Sequence, residues 1–321
     1  MQTIYRALLA ATVLALAASA SAQTFPARPV RIIVPFPAGG PSDILTRMMG
    51  PKLTDLWGQQ VVVDNRPGAG TLIGTDLVAK AAPDGYTLAM VFIGHAANPA
   101  LYSKLPYDTL HDFAPVTLAT TLPLIVVAHP SLRVGSVKEL IALARSKPGQ
   151  ITFATAGNGS ASHLAGELFK SVARVNLLHI PYKGSAPAIA DVLGGQVPTA
   201  FDGLPSALPH VQAGKLRAIA MTSLERSPLL PDVATVAESG FPGFSASSWF
   251  GVLAPARTPP AVVQQLNANM VKVLQLPEIR DRLVAMGYRP IANTPEQFDV
   301  FIRAEITKWA KVIKEAGIHI E

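Results

Sequence analysis

The sequence predicts an α/β protein of two similar lobes, each a mixed, mostly parallel sheet flanked by helices, with a cleft between them. Three observations carry this. Short β-branched runs alternate with helical patterns along the chain, the order expected of parallel α/β sheets. Two stretches, "VRIIVPFPAGGPSDILTRMM" from Val30 and "ITFATAGNGSASHLAGELF" from Ile151, share one plan: strand, glycine-bearing loop, small hydroxylated residues, helix. A late run, "SASSWFGVLAPA" at 245–256, reads as one more strand feeding C-terminal helices. The chain is therefore expected to cross between lobes twice, near 120 and near 245, which makes a hinge. Lobe one takes 23–122 with 246–321, and lobe two takes 123–245.

Taken in order, the first 22 residues read as a secretory signal peptide. They hold Arg6, an apolar run from Ala7 to Ala18, and Ala20-Ser21-Ala22 before a mature start at Gln23. The apolar run is short for a membrane span, and no later segment offers ~20 uninterrupted apolar residues, so the expectation is an exported, soluble chain. Strands are expected at "VRIIV" (30–34), "QVVVD" (60–64), "YTLAMVFI" (86–93), "PLIVVA" (123–128), "ITFAT" (151–155), "NLLHI" (176–180) and "VPTAF" (197–201). Ser136 with Glu139, and Thr235 with Glu238, have the capping-box spacing, in which hydroxyl and carboxylate satisfy each other's orphan amides; Gly240 stops the second helix. Thr258-Pro259 opens a helix running to about Leu274, and Thr294-Pro295-Glu296-Gln297 opens the last one, which ends at Gly317. Phe298, Phe301, Ile302, Trp309 and Ile313 fall on one face of that last helix and dock it.

Composition excludes several classes of function. The chain has no cysteine, hence no disulfide, thiolate metal site, cysteine nucleophile or lipid-carrying cysteine. Its net charge of +6 is spread without a basic run interleaved with aromatics, so nucleic acid is not a predicted partner. The segment Asn65 to Gly74 spaces its glycines G-x-G-x-x-x-G, one residue too long for the dinucleotide fingerprint, and no phosphate loop is present. Histidines at zinc spacing are absent as well, so neither cofactor nor metal is expected. Ser160, His163 and Asp202 can be written as a triad, but there is no G-x-S-x-G elbow; structural roles are expected, with Asp202 as the N-cap of the following helix.

The glycine loops suggest what the cleft holds. A helix start leaves about four amides without intrahelical acceptors and carries roughly half a positive charge, so it suits an anion that can come close. Gly39 and Gly40 clear side chains from the first loop, and its prolines stiffen it without adding donors. The second loop, Thr155 to Ser160, sits at the equivalent place in the other lobe, and two such loops make a clamp. Ser160 and Ser162 offer hydroxyls, with Ser162 expected to cap its helix through Glu167. Tyr182 and Lys183 follow a strand and are candidates to line the cleft, Lys183 meeting a second carboxylate or standing in solvent. His95 is a candidate ligand contact at another strand end, and Asn98 before Pro99 reads as a turn residue.

Together "VPFPAGGPSD", "NRPGAG", "HAANPALY", "ATAGNGSASHL", "PYKGSAPAIADVLGGQV", "WFGVLAPARTP" and "AEITKWAKVIKEAGI" resemble the substrate-binding proteins of tripartite tricarboxylate transporters, the Bug or TctC type. The resemblance runs in order from about Arg28 to Ile318. It implies a periplasmic, monomeric binding protein of the two-lobed, type II-like fold, without catalytic residues, closing on a small organic acid and handing it to a membrane permease. One carboxylate would be held by loop amides and ordered water. On matching positions, Phe36, Ala38, Gly39, Gly40 and Asp43, then Gly157, Ser160 and His163, would surround it; Asp202 would face them, and Gly70 of "PGAG" would contribute from the third loop. Thr71 stands where many relatives have another glycine. The acid could be a di- or tricarboxylate, an aromatic acid or an acidic amino acid. Competing readings are a binding protein that signals to a membrane sensor and an exported hydrolase using Ser160 and His163.

Overall fold

The computed structural model describes residues 25–318, so the expected signal peptide and the start at Gln23 lie outside the described residues. Lobe one begins with β1 (Val30–Val34), whose apolar run is buried on both faces. It leads through the first glycine loop into α1 (Pro41–Trp57), then β2 (Val61–Asn65), α2 (Leu72–Ala79), β3 (Thr87–Phe92) and α3 (Ile93–Leu101). Strands β1, β2 and β3 are parallel. Lobe two repeats the plan. Strand β4 (Phe113–Ala128) enters it and α4 (Val137–Ser146) follows. Next come β5 (Thr152–Thr155), α5 (Ala161–Ala173), β6 (Leu178–Pro181), α6 (Ser185–Leu193), β7 (Thr199–Gly203), α7 (Leu204–Gln212) and β8 (Arg217–Met221), with β5, β6 and β7 parallel. The chain returns as β9 (Ser247–Pro255), antiparallel to β3, and finishes with α8 (Pro260–Gln275), α9 (Pro277–Ala285), β10 (Arg289–Pro290) and α10 (Pro295–Ala316).

The strand order is β2-β1-β3-β9-β4-β7-β5-β6, with β8 and β10 also on β4. Strand β4 belongs to both lobes. It pairs with β9 as far as Pro123 and with β7 from Leu124 onward. Its first half, "FAPVTLATTL", escapes the sequence reading because two register shifts and Pro115 break the alternation that marks a strand. The second crossing closes beside it, where the Thr222 N–H donates to the Leu124 carbonyl and the Ala246 N–H to the Thr222 carbonyl.

Three local expectations are corrected. Strand β3 runs straight into α3, with Phe92 as the extended N-cap, so Asn98 is a buried helical residue donating to the Tyr107 hydroxyl (3.3 Å) and not a turn residue. Thr235 and Glu238 make both capping-box bonds, 2.7 and 3.0 Å, but over a turn and not a helix. Thr258 sends its hydroxyl back to the Pro255 carbonyl, leaving Pro259 as N-cap of α8. The last helix forms as expected, with a full Thr294–Gln297 capping box and Gly317 as its left-handed C-cap. It buries Phe298, Ile302, Trp309 and Ile313 and packs against β4, α3 and α5, touching both lobes. The buried Glu305 carboxylate fixes it to β9, accepting the indole N–H of Trp249 at 3.0 Å and of Trp309 at 2.9 Å.

Candidate functional site

The first loop owes its shape to Asp43, in the first turn of α1. Its carboxylate accepts the Gly39 amide (2.9 Å), Arg47 Nε (3.0 Å) and Asn65 Nδ2 (3.0 Å); Asn65 also donates to the Phe36 carbonyl (3.0 Å). Burial pushes the Asp43 carboxyl up, but those hydrogen bonds and the Arg47 charge outweigh it and hold the group below its ordinary value. Gly39 adopts φ +84, which favours glycine. Gly40, the N-cap of α1, differs: its φ is −78, and an added Cβ would meet nothing nearer than the Pro37 carbonyl at 3.7 Å. The backbone does not require glycine there.

The second loop closes on itself. Ser160, not Ser162, caps α5: its hydroxyl accepts the His163 amide (3.2 Å) and donates to the Gly157 carbonyl (2.6 Å). Ser162 instead accepts the Ala156 amide (2.9 Å), and Glu167 is held by Lys170 (2.8 Å). Gly157, at φ +123, lies so near the β6–α6 loop that a Cβ would stand 2.7 Å from the Tyr182 carbonyl. The His163 ring accepts the Gly159 amide at Nδ1 (3.2 Å) and stacks on His179 at 4.2 Å. Burial lowers both rings, His163 to about 4 and His179 to about 3, and the Lys170 charge adds to it. At the end of β7, buried Asp202 receives the Ser185 and Ser206 hydroxyls, both at 2.6 Å; burial lifts its carboxyl above the ordinary value despite them.

These loops enclose a cavity of about 690 Å³, measured with its open mouth. Residues at the starts of α1 (Gly40–Ser42), α5 (Ser160–Ser162), α6 (Gly184–Pro187) and α7 (Gly203) line it, so the N-terminal ends of four helices border one space. Phe36, Phe92, Leu122, Leu124 and Phe250 make its apolar wall. The arrangement suits a small anion with an apolar portion.

A family model described as the tripartite tricarboxylate transporter family receptor, TctC, matches residues 45–318. This chain belongs to the TctC family. BugT of Bordetella pertussis is 42% identical to it over 308 residues, 95% of this chain and 94% of that one. An R. palustris protein solved with adipate has a TM-score of 0.88 and 38% identity, covering 92% of this chain and 100% of its own. MatC from Rhodopseudomonas palustris, with bound malate, has a TM-score of 0.85 and 34% identity, covering 90% and 100%. The two-lobed α/β architecture expected from the sequence is therefore that of the TctC type.

Of the site residues the sequence put forward, Phe36, Ala38, Gly39, Gly40, Ser160, Lys183 and Asp202 line the cavity of this TctC chain. The others do not. Asp43 and His163 brace the loops from behind. Gly157 serves the close approach of two loops, and the Tyr182 hydroxyl turns to Asp191 (2.6 Å). Gly70 is packed under Tyr102, where a Cβ would stand 2.0 Å from the hydroxyl. His95 is buried against Tyr107 and Phe113, with its ring held neutral to about pH 4 by that burial. Asp202 is not an N-cap, since Gly203 holds that place. Nor is there a triad: Ser160 bonds the backbone of His163, and Asp202 bonds serines of α6 and α7. Among the described residues no group of three or more His, Asp or Glu side chains is placed to hold a metal ion. Sequence reasoning missed Phe92, Leu122, Leu124, Ser185, Ser248 and Phe250, which come from three strands and a helix start far apart in the chain.

Proposed function

We propose that this chain captures a small organic acid in the cleft, in the periplasm, and delivers it to the membrane permease of a tripartite tricarboxylate-type transporter. One carboxylate sits at the starts of α1 and α5, on first-turn amides such as those of Ser42, Ala161 and Ser162. The observation that carries this is Gly40: the backbone would accept a side chain there, yet the residue is glycine and faces the cavity. Its bare Cα leaves space for a ligand. Family membership and relatives solved with adipate and malate support a carboxylate as that ligand. The signal-peptide pattern supports export, and among the described residues no helix is long and apolar enough to cross a membrane. The crossings at Pro123–Leu124 and beside Thr222 support lobes of 23–122 with 246–321, and of 123–245.

The test is Gly40→Val, measured by calorimetric titration with a panel of organic acids. A fold of unchanged melting temperature that no longer binds is expected, and unchanged affinity would refute the assignment of this helix start.

A further inference from the structure

We propose that the acid selected by this cleft has an apolar body, a ring or a polymethylene chain, and carries no more than two carboxylates. This rests on the reading of the cleft as a carboxylate site and narrows it.

Most polar groups in the cavity lie with the helix starts, whereas the wall is made by Phe36, Phe92, Phe250, Leu122 and Leu124, with Ser248 of β9 its one hydroxyl. The Phe36 and Phe92 rings meet edge to face at 4.8 Å, a surface complementary to a ring or a methylene run. Phe92, Phe250, Leu122 and Leu124 are themselves buried, so a ligand hydroxyl laid on them loses water and finds no partner.

Three of the five lining serine hydroxyls, those of Ser160, Ser162 and Ser185, are committed elsewhere, which leaves Ser42 and Ser248, too few for a polyhydroxylated ligand. A serine has one hydrogen to give. Ser160 gives it to the Gly157 carbonyl, and Ser185 gives it to Asp202.

Charge limits the number of carboxylates. Lys183 is the sole lysine or arginine among the lining residues, and Asp202 opposes it as an acid. The first-turn amides serve one carboxylate and the exposed Lys183 a second, while a third would be desolvated without a cation.

Two matched comparisons by titration calorimetry test this on the whole mature chain. Adipate and galactarate share a six-carbon diacid skeleton, and galactarate adds four hydroxyls. Tricarballylate adds a third carboxylate to a short chain without hydroxyls. Adipate or terephthalate is expected to bind at least ~100-fold more tightly than galactarate or tricarballylate. Galactarate or tricarballylate within tenfold of adipate overturns the inference while leaving carboxylate capture standing. Silence toward every acid overturns both. For the second carboxylate, Lys183→Met is expected to weaken adipate about tenfold and hexanoate less than twofold; equal changes in the two refute the role of Lys183.

Discussion

Replacing Asp43 with alanine separates a residue that shapes the site from those that line it. The carboxylate removed takes three hydrogen bonds, from Gly39, Arg47 and Asn65. Gly39 is exposed, so water partly replaces its bond, and the half-exposed Arg47 adds at most about 1 kcal/mol after screening. Asn65 keeps its bond to the Phe36 carbonyl. The net loss of stability is expected at about 2–3 kcal/mol, a fall of several degrees in melting temperature for a chain of this size. Ligand affinity should fall further than stability alone implies, by roughly tenfold or more, because the loop carrying Ala38 and Gly40 loses the anchor that fixes its shape. Urea unfolding and titration calorimetry on the same preparation read the two effects separately. A variant that loses stability but binds its acid as tightly as the parent would refute the bracing role. The same carboxyl carries a pH dependence. Its folded value lies below the ordinary 3.8, so its stabilisation is full above about pH 3.8 and is lost as pH falls through the depressed folded value.

His95 and His163 are buried neutral at about 4 against an ordinary 6.5, so the unfolded chain takes up protons the folded chain refuses. Stability should be full above pH 6.5 and fall by about 1.4 kcal/mol per pH unit for each ring toward pH 4; a flat urea-unfolding profile from pH 7 to 5 would contradict this. Glu305→Ala orphans two buried indole N–H groups and should cost about 2–5 kcal/mol with a changed tryptophan fluorescence, whereas a loss below 1 kcal/mol would deny the anchor. Thr71 holds φ +84, a left-handed conformation costly for a β-branched residue, so Thr71→Gly should stabilise by about 1 kcal/mol; a destabilised variant would place the value of Thr71 in its side chain.

The two glycine loops were legible because their chemistry is local: strand, glycines, helix start. The duplicated plan of the lobes could be read for the same reason, from Val30 and from Ile151. Phe92, Leu122, Leu124 and Phe250 were not, since an apolar residue in a strand reads as core, and only the pairing of β3, β4 and β9 brings these to one wall. Polar residues misled in the opposite direction. His95 follows a strand end, the usual place for a ligand contact, but β3 continues into a buried helix without a loop. Asp43 was expected around the ligand, but its distance from the N-cap, three residues, is the spacing at which an acid reaches back to orphan amides, and it holds the loop instead.

Strand β4 acts as a torsion bar. It is one length of backbone held by β9 up to Pro123 and by β7 from Leu124, so any rotation of one lobe against the other would be taken up as twist around Leu122, Pro123 and Leu124. Leu122 and Leu124 also form part of the cavity wall. A ligand in the proposed cleft would thus lie against the very residues at which the two halves of the sheet join, so closure around it would be felt there first. On the outer side α5 packs on α10, so any rotation of the lobes would also have to be accommodated at that helix contact.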